Sequence, residues 1–164
     1  MKTNTQKLVL AAMFAALCCI ATMIIKIPLP FKGYLNLGDC IVLLSGWILS
    51  PGYAFLAAGV GSALADVFSG YTLYAPVTFF IKGSMTVIAY HSFTILNDKL
   101  RAPFARMLSG ILAELVMILG YFLFESILYG FVIAMANVPF NAIQGTAGLI
   151  LATQLVKVVQ KAIK

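Results

Sequence analysis

The chain has 164 residues, 62% of them hydrophobic and 10% charged, with a mean hydropathy of +1.03. A soluble domain is nearer half apolar and a quarter charged, so a water-soluble fold is excluded and no polar stretch is long enough for a separate catalytic domain. The net charge of +6 does not point to nucleic acid, because the basic residues gather at the ends of apolar segments, where they set orientation in a membrane.

At ~20 residues per span, residues 1–164 suit a single transmembrane domain, an all-α bundle of six helices. The first is expected at about 7–25. Lys2 and Lys7 precede an apolar run of 18 residues from Leu8 to Ile25. That is longer than the ~7–15 of a signal-peptide core, so the run reads as a retained helix. Within it, Ala11, Ala12, Ala15 and Ala16 form two overlapping Ala-x-x-x-Ala pairs. Residues four apart share a helical face, and small side chains let another helix approach closely. The strip serves either packing inside the bundle or docking of a partner membrane protein. Cys18, Cys19 and Cys40 lack metal-ligand spacing, and no metal or cofactor is expected.

Lys26 to Gly38, KIPLPFKGYLNLG, is a loop by its prolines and glycines, long enough to fold over a pocket. Asp39 is placed to cap a second helix at 39–49, which Ser50-Pro51-Gly52 ends. A third helix follows at 53–68. Both are short for full spans, and a hairpin that dips into the membrane and returns fits almost as well. The fourth helix is expected at 76–96, and the polar turn Asn97–Pro103 leads to a fifth at 104–129. Ala136-Asn137-Val138-Pro139 is read as the last turn, before a sixth helix at 139–160. Six spans place Lys2, Lys7, Lys99, Arg101, Arg106, Lys157, Lys161 and Lys164 on one side, against Lys26, Lys32 and the submerged Lys82 on the other. The richer side is cytoplasmic, so both termini are expected inside.

The stretch Gly59–Gly83 organises the rest. It combines small residues at helical spacing, Asp66, the turn Ser69-Gly70, two tyrosines and Pro76, and then Lys82 inside an apolar run. A charge there costs roughly 2.5–3.5 kcal/mol on insertion scales, so it should face protein, water or ligand. Counting ~1.5 Å per residue from the outer helix ends, Lys82, Tyr121, Glu125, Asn141 and Gln144 reach similar depth. Tyr71, Tyr74, Phe79 and Phe80 lie nearby. Such a mixture suits a flat, polar, ring-bearing ligand. The competing reading is a structural ion pair of Lys82 with Glu125 or Asp66. Glu114 is expected either on the pocket floor or in an interhelical hydrogen bond. Hydrolase, zinc-protease and phosphate-loop motifs are missing, so no enzyme is expected, and any active uptake must be driven by another subunit.

The alanine strip, Tyr34-Leu-Asn-Leu-Gly-Asp39, Ser50-Pro-Gly-Tyr53, and Gly61-Ser-Ala-Leu-Ala-Asp66 followed by Gly70-Tyr71, Pro76 and Lys82-Gly83 together resemble the substrate-binding S component of energy-coupling factor (ECF) vitamin transporters. The resemblance covers essentially the whole chain. It implies a subunit of a prokaryotic cell membrane that captures a vitamin or precursor and works with a transmembrane coupling subunit and two ATPase subunits. It implies docking through Ala11, Ala12, Ala15 and Ala16, and a pocket built by helices four to six and the outer loops. The candidate binding residues are thus Asn36, Tyr71, Tyr74, Lys82, Tyr121, Glu125, Asn141 and Gln144. Riboflavin, a pyrimidine thiamine precursor, a pyridoxine-type vitamer and a deazapurine precursor all remain candidate ligands. From another class, a self-sufficient proton-coupled transporter using Glu114 or Glu125 is the alternative.

Overall fold

The computed structural model describes residues 3–29 and 33–163; Lys2, Lys32 and Lys164 of the charge count lie outside the described residues. The elements are α1 (Asn4–Ile24), β1 (Ile27–Pro28), β2 (Tyr34–Leu35), α2 (Gly38–Ile48), α3 (Pro51–Phe68), α4 (Ala75–Asn97), α5 (Ala102–Tyr129) and α6 (Phe131–Ala162). Thr3 caps α1 in a reciprocal capping box with Gln6. The two short strands pair antiparallel, Ile27 opposite Leu35 and Pro28 opposite Tyr34, and turn the loop into a hairpin.

Among the described residues, five helices are long and apolar enough to cross a membrane. The other, α2, has 11 residues, about 16 Å of helix against a hydrocarbon core of about 30 Å. It packs against α1, α3, α4 and α6, and Val42, Leu43, Leu44 and Ser45 are buried on all sides. A helix apolar all round belongs in a core, and α2 is the centre of this one. The short pair expected at 39–49 and 53–68 therefore resolves into a buried α2 and an 18-residue α3, whose Pro51 occupies the first turn, where a missing N–H costs nothing.

Glycines set how closely the helices approach. A Cβ on Gly46 would sit 2.9 Å from the Thr86 carbonyl oxygen of α4, and one on Gly61 would collide with the Ala15 carbonyl of α1. That contact splits the alanine strip. Ala11 is buried and Ala15 half-buried against the bundle, whereas Ala12 and Ala16 face outward. Gly61→Val is expected to lower stability by about 1–3 kcal/mol through overpacking, read as an earlier thermal transition of the purified protein. An unchanged transition would show that α1 and α3 can separate freely.

The last turn lies elsewhere than the sequence suggested. The chain reverses at Gly130, whose φ of 90° is a conformation that side chains rarely adopt. Residues 136–139 are helical, and Pro139 sits inside α6. Prolines are tolerated within membrane helices because neighbouring groups satisfy the freed carbonyl. Starting α6 at Phe131 rather than 139 puts Asn137, Asn141 and Gln144 on one buried face.

Candidate functional site

At one end of the bundle lie the last turn of α1, the hairpin with Asn36 beyond it, the last turns of α3, the first two turns of α4, the last turns of α5 and the first half of α6. Together they enclose a polar, aromatic cavity. Asn36, Tyr71, Tyr74, Lys82, Tyr121, Glu125, Asn141 and Gln144 all line it, together with Thr22, Ser62, Asp66 and Thr78. The cavity offers room for water of about 40 Å³, within about 490 Å³ of empty space that includes its open mouth.

The hairpin is the roof. Tyr34 donates to Asp66 Oδ1 at 2.6 Å and rests on Tyr71, ring centroids 4.7 Å apart. Burial, with the Asp66 carboxylate beside it, holds the Tyr34 phenol well above its ordinary pKa, so it stays a donor. The Asn36 backbone N–H and side-chain amide both donate to Gln144 Oε1, at 2.9 and 3.2 Å. Lys26 at the rim donates to Ser69 Oγ at 2.8 Å. Below the roof, Tyr74 meets Tyr71 and Tyr121 at centroid distances of 6.2 and 6.5 Å, a geometry aromatic rings favour. Thr78 and Tyr121 share a hydrogen bond of 3.0 Å.

Lys82 does not pair with Glu125 or Asp66. It is buried and forms a salt bridge with Asp39, which is fully enclosed. Gln144 Nε2 donates to the other Asp39 oxygen at 2.7 Å. Asp39 is therefore not a helix cap: Leu37 holds the N-cap position without a side-chain bond, and the carboxylate is spent tying α2 to α4 and α6. Asp39 forms no part of the cavity wall. Lys82 lines that wall as an already neutralised ammonium, 5.6 Å from the centroid of the Tyr121 ring. Glu125 has partners of its own: Tyr74 OH donates to Oε1 at 3.3 Å and Asn137 Nδ2 to Oε2 at 3.0 Å.

Glu114 meets neither expectation. It lines no part of this cavity, and neither of its oxygens has a hydrogen-bond partner among the described residues. It is buried against Gly145, where a Cβ would come within 2.7 Å of Oε2, beside an apolar cleft between α5 and α6. Replacing a lone buried carboxyl by an apolar side chain of similar size removes a desolvation cost and leaves no partner stranded. Glu114→Leu should therefore melt at or above the wild-type temperature, and a fall of several degrees would reveal a partner.

The sequence reading missed Asp66 as a wall residue, Asp39 as the lysine's partner and Asn137 as support for Glu125. Asp39 had a usable signal. It is the one charge in an otherwise apolar helix, and a buried acid needs a buried base.

A membrane bundle closed at one end over a polar, tyrosine-walled cavity defines a membrane-embedded solute-binding subunit. The model of the family "ECF-type riboflavin transporter, S component" matches residues 2–161. The chain belongs to this family and is a transporter subunit that binds a vitamin-type substrate. The S component of a bacterial ECF transporter superposes with a TM-score of 0.77, covering 99% of each chain at 24% identity, and so shares the fold. An uncharacterized protein of Pyrococcus woesei is 37% identical over 146 residues, 88% of this chain and 95% of its own length. The thiamine precursor transporter HmpT of Lactococcus lactis subsp. cremoris is 24% identical over 160 residues, 96% of this chain and 90% of its own length.

Proposed function

We propose that this chain is the capture subunit of an ECF-type importer in a prokaryotic cell membrane. It holds a vitamin or vitamin-like heterocycle in the roofed cavity and passes it inward with a transmembrane coupling subunit driven by two ATPase subunits. The observation that carries this reading is the cavity itself, in which polar side chains from α3 to α6 converge with four tyrosines under a hairpin. Six spans with both termini cytoplasmic fit the charge distribution. Lys7, Lys99, Arg101, Lys157 and Lys161 fall at the helix ends opposite the cavity, which opens outward under the positive-inside rule.

Room for water of about 40 Å³ is less than a ring system takes, for which pockets of about 300 Å³ or more are usual. Loading therefore requires the hairpin to lift, breaking the Tyr34–Asp66 and Asn36–Gln144 bonds. Ala12 and Ala16 line an apolar groove of about 570 Å³ with Leu56, Val60 and Leu64 of α3, a surface suited to a helix of the coupling subunit. Ala11 and Ala15 form the floor of that groove.

The test is co-purification with mass spectrometry of the bound solute, together with binding by the isolated chain. A coupling subunit should be retained and a heterocycle identified. Glu125→Ala should weaken binding by about tenfold, ~1.4 kcal/mol. Uptake by vesicles holding this chain alone, driven by a proton gradient, would instead establish a self-sufficient transporter. The unpartnered Glu114 is the feature that favours that second reading.

A further inference from the structure

The charges on the cavity wall say which ligands it can take. Its one wall cation among the described residues, Lys82, is already matched by Asp39, whose second oxygen is held by Gln144. Two acids remain on the wall, Asp66 and Glu125, 4% and 3% exposed, and neither forms an ion pair among the described residues. Asp66 uses only Oδ1, on Tyr34; its Oδ2 is buried with no hydrogen-bond partner. The neighbouring Thr78 hydroxyl, which shares a hydrogen bond with Tyr121, faces Asp66 as a neutral group and brings no charge to match it. Glu125 is oriented by Tyr74 and Asn137, both neutral donors that leave its charge uncompensated. Lys26, at the rim, is engaged by Ser69 and is not part of the wall.

An orphaned acceptor atom on a buried acid, in a cavity with a second acid and no free cation on the described wall, calls for donors from the ligand. We propose that this pocket selects a heterocycle presenting N–H donors on one edge: an amino-substituted, protonatable ring whose exocyclic amine and ring N–H meet Asp66 as a fork, with Glu125 as the second acid of the wall. Paired parallel N–H···O bonds to a carboxylate are strong and geometrically exacting. The tyrosine faces of Tyr71, Tyr74 and Tyr121 then receive the ring, and a positive charge on it adds a cation–π attraction. A ligand with carbonyl oxygens on that edge would set acceptor against acceptor, and an anionic one would add a third negative charge. This inference rests on the reading of the chain as a vitamin-capturing subunit, and narrows that reading to a substrate class.

The experiment is equilibrium binding to the purified full-length chain in nanodiscs, with three probes. These are a hydroxymethyl aminopyrimidine, its oxo counterpart in which a carbonyl replaces the exocyclic amine, and riboflavin. The aminopyrimidine should bind at least tenfold more tightly than the oxo compound. Asp66→Asn should cost the aminopyrimidine tenfold or more while moving the oxo compound by less than threefold, so that discrimination collapses. Equal or tighter binding of the oxo compound overturns the inference, and so does an equal loss for both probes in the variant. The comparison of probes on the wild-type chain stands even if the variant fails to fold. Tight binding of riboflavin alone overturns the substrate class yet leaves the capture function intact. Binding of none of the three overturns the substrate class as well, and if no coupling subunit co-purifies either, the capture function falls with it.

Discussion

Asp39→Asn is expected to lower the unfolding free energy of this bundle by about 3–5 kcal/mol, the cost of stranding one member of a buried ion pair. The reason lies in how completely Asp39 is committed. It is fully enclosed, with Lys82 on one oxygen and Gln144 on the other. Removing its charge leaves a buried ammonium on the cavity wall without its ion-pair partner. Lys82→Met should be damaging for the mirror-image reason. The double variant Asp39→Leu with Lys82→Met removes both charges, and it should recover most of the loss, because apolar replacements of a whole buried pair are often neutral or stabilising. The measurement is a double-mutant cycle on thermal or denaturant unfolding in detergent. Additive losses, with no recovery in the double variant, would falsify the claim that the lysine is there chiefly to hold α2 against α4.

That result bears on function, because it separates what holds the pocket from what fills it. Lys82 belongs mainly to the first group, since its charge is matched within the protein. Asp66 and Glu125 belong to the second, since theirs are not. A Lys82 variant that melts early but still discriminates between ligands is therefore compatible with the proposed site, whereas Glu125→Gln, which can still bond Tyr74 and Asn137, should melt near wild type and bind poorly.

How much of this was legible in the sequence depends on the kind of signal. Membrane residence and the helix count follow from composition and long apolar runs, because burial in lipid demands them at every position. Lys82, Tyr121, Glu125, Asn141 and Gln144 reach one cavity because depth along a helix is set by a fixed rise per residue, and polar atoms at one depth in neighbouring helices must meet. Pairing was not legible in the same way. Lys82 had three acids within plausible reach, and which one it meets depends on α2 lying at the centre of the bundle. That position follows from packing, through Gly38, Gly46 and Gly148, and no periodicity in the chain reveals it. The α5–α6 turn was misread because Asn137 and Pro139 make the stronger turn signal in water. Inside this bundle Asn137 has Glu125 to bond, and the lone Gly130 is enough to reverse the chain.

Ala12→Trp is expected to abolish uptake and retention of the coupling subunit while leaving ligand binding by the isolated chain within about twofold of wild type. The argument comes from the two alanine pairs facing different ways. Ala12 and Ala16 project from α1 into an apolar groove walled by Leu56, Val60 and Leu64 of α3. An indole there fills the groove without entering the core, and the cavity lined by Tyr71 and Glu125 draws on α1 through Thr22 in its last turn and otherwise on the hairpin and other helices. Ala11, 6% exposed, is the control. An indole at that position must displace core side chains, an overpacking that costs typically ~1–3 kcal/mol, so Ala11→Trp should lower the melting temperature and depress binding and uptake together. Binding by the isolated chain, pull-down with the coupling subunit and uptake into cells distinguish the cases. Intact uptake in Ala12→Trp would mean that the partner docks on another face. Loss of binding alongside uptake would mean that the groove and the cavity are mechanically one unit, coupled through α1.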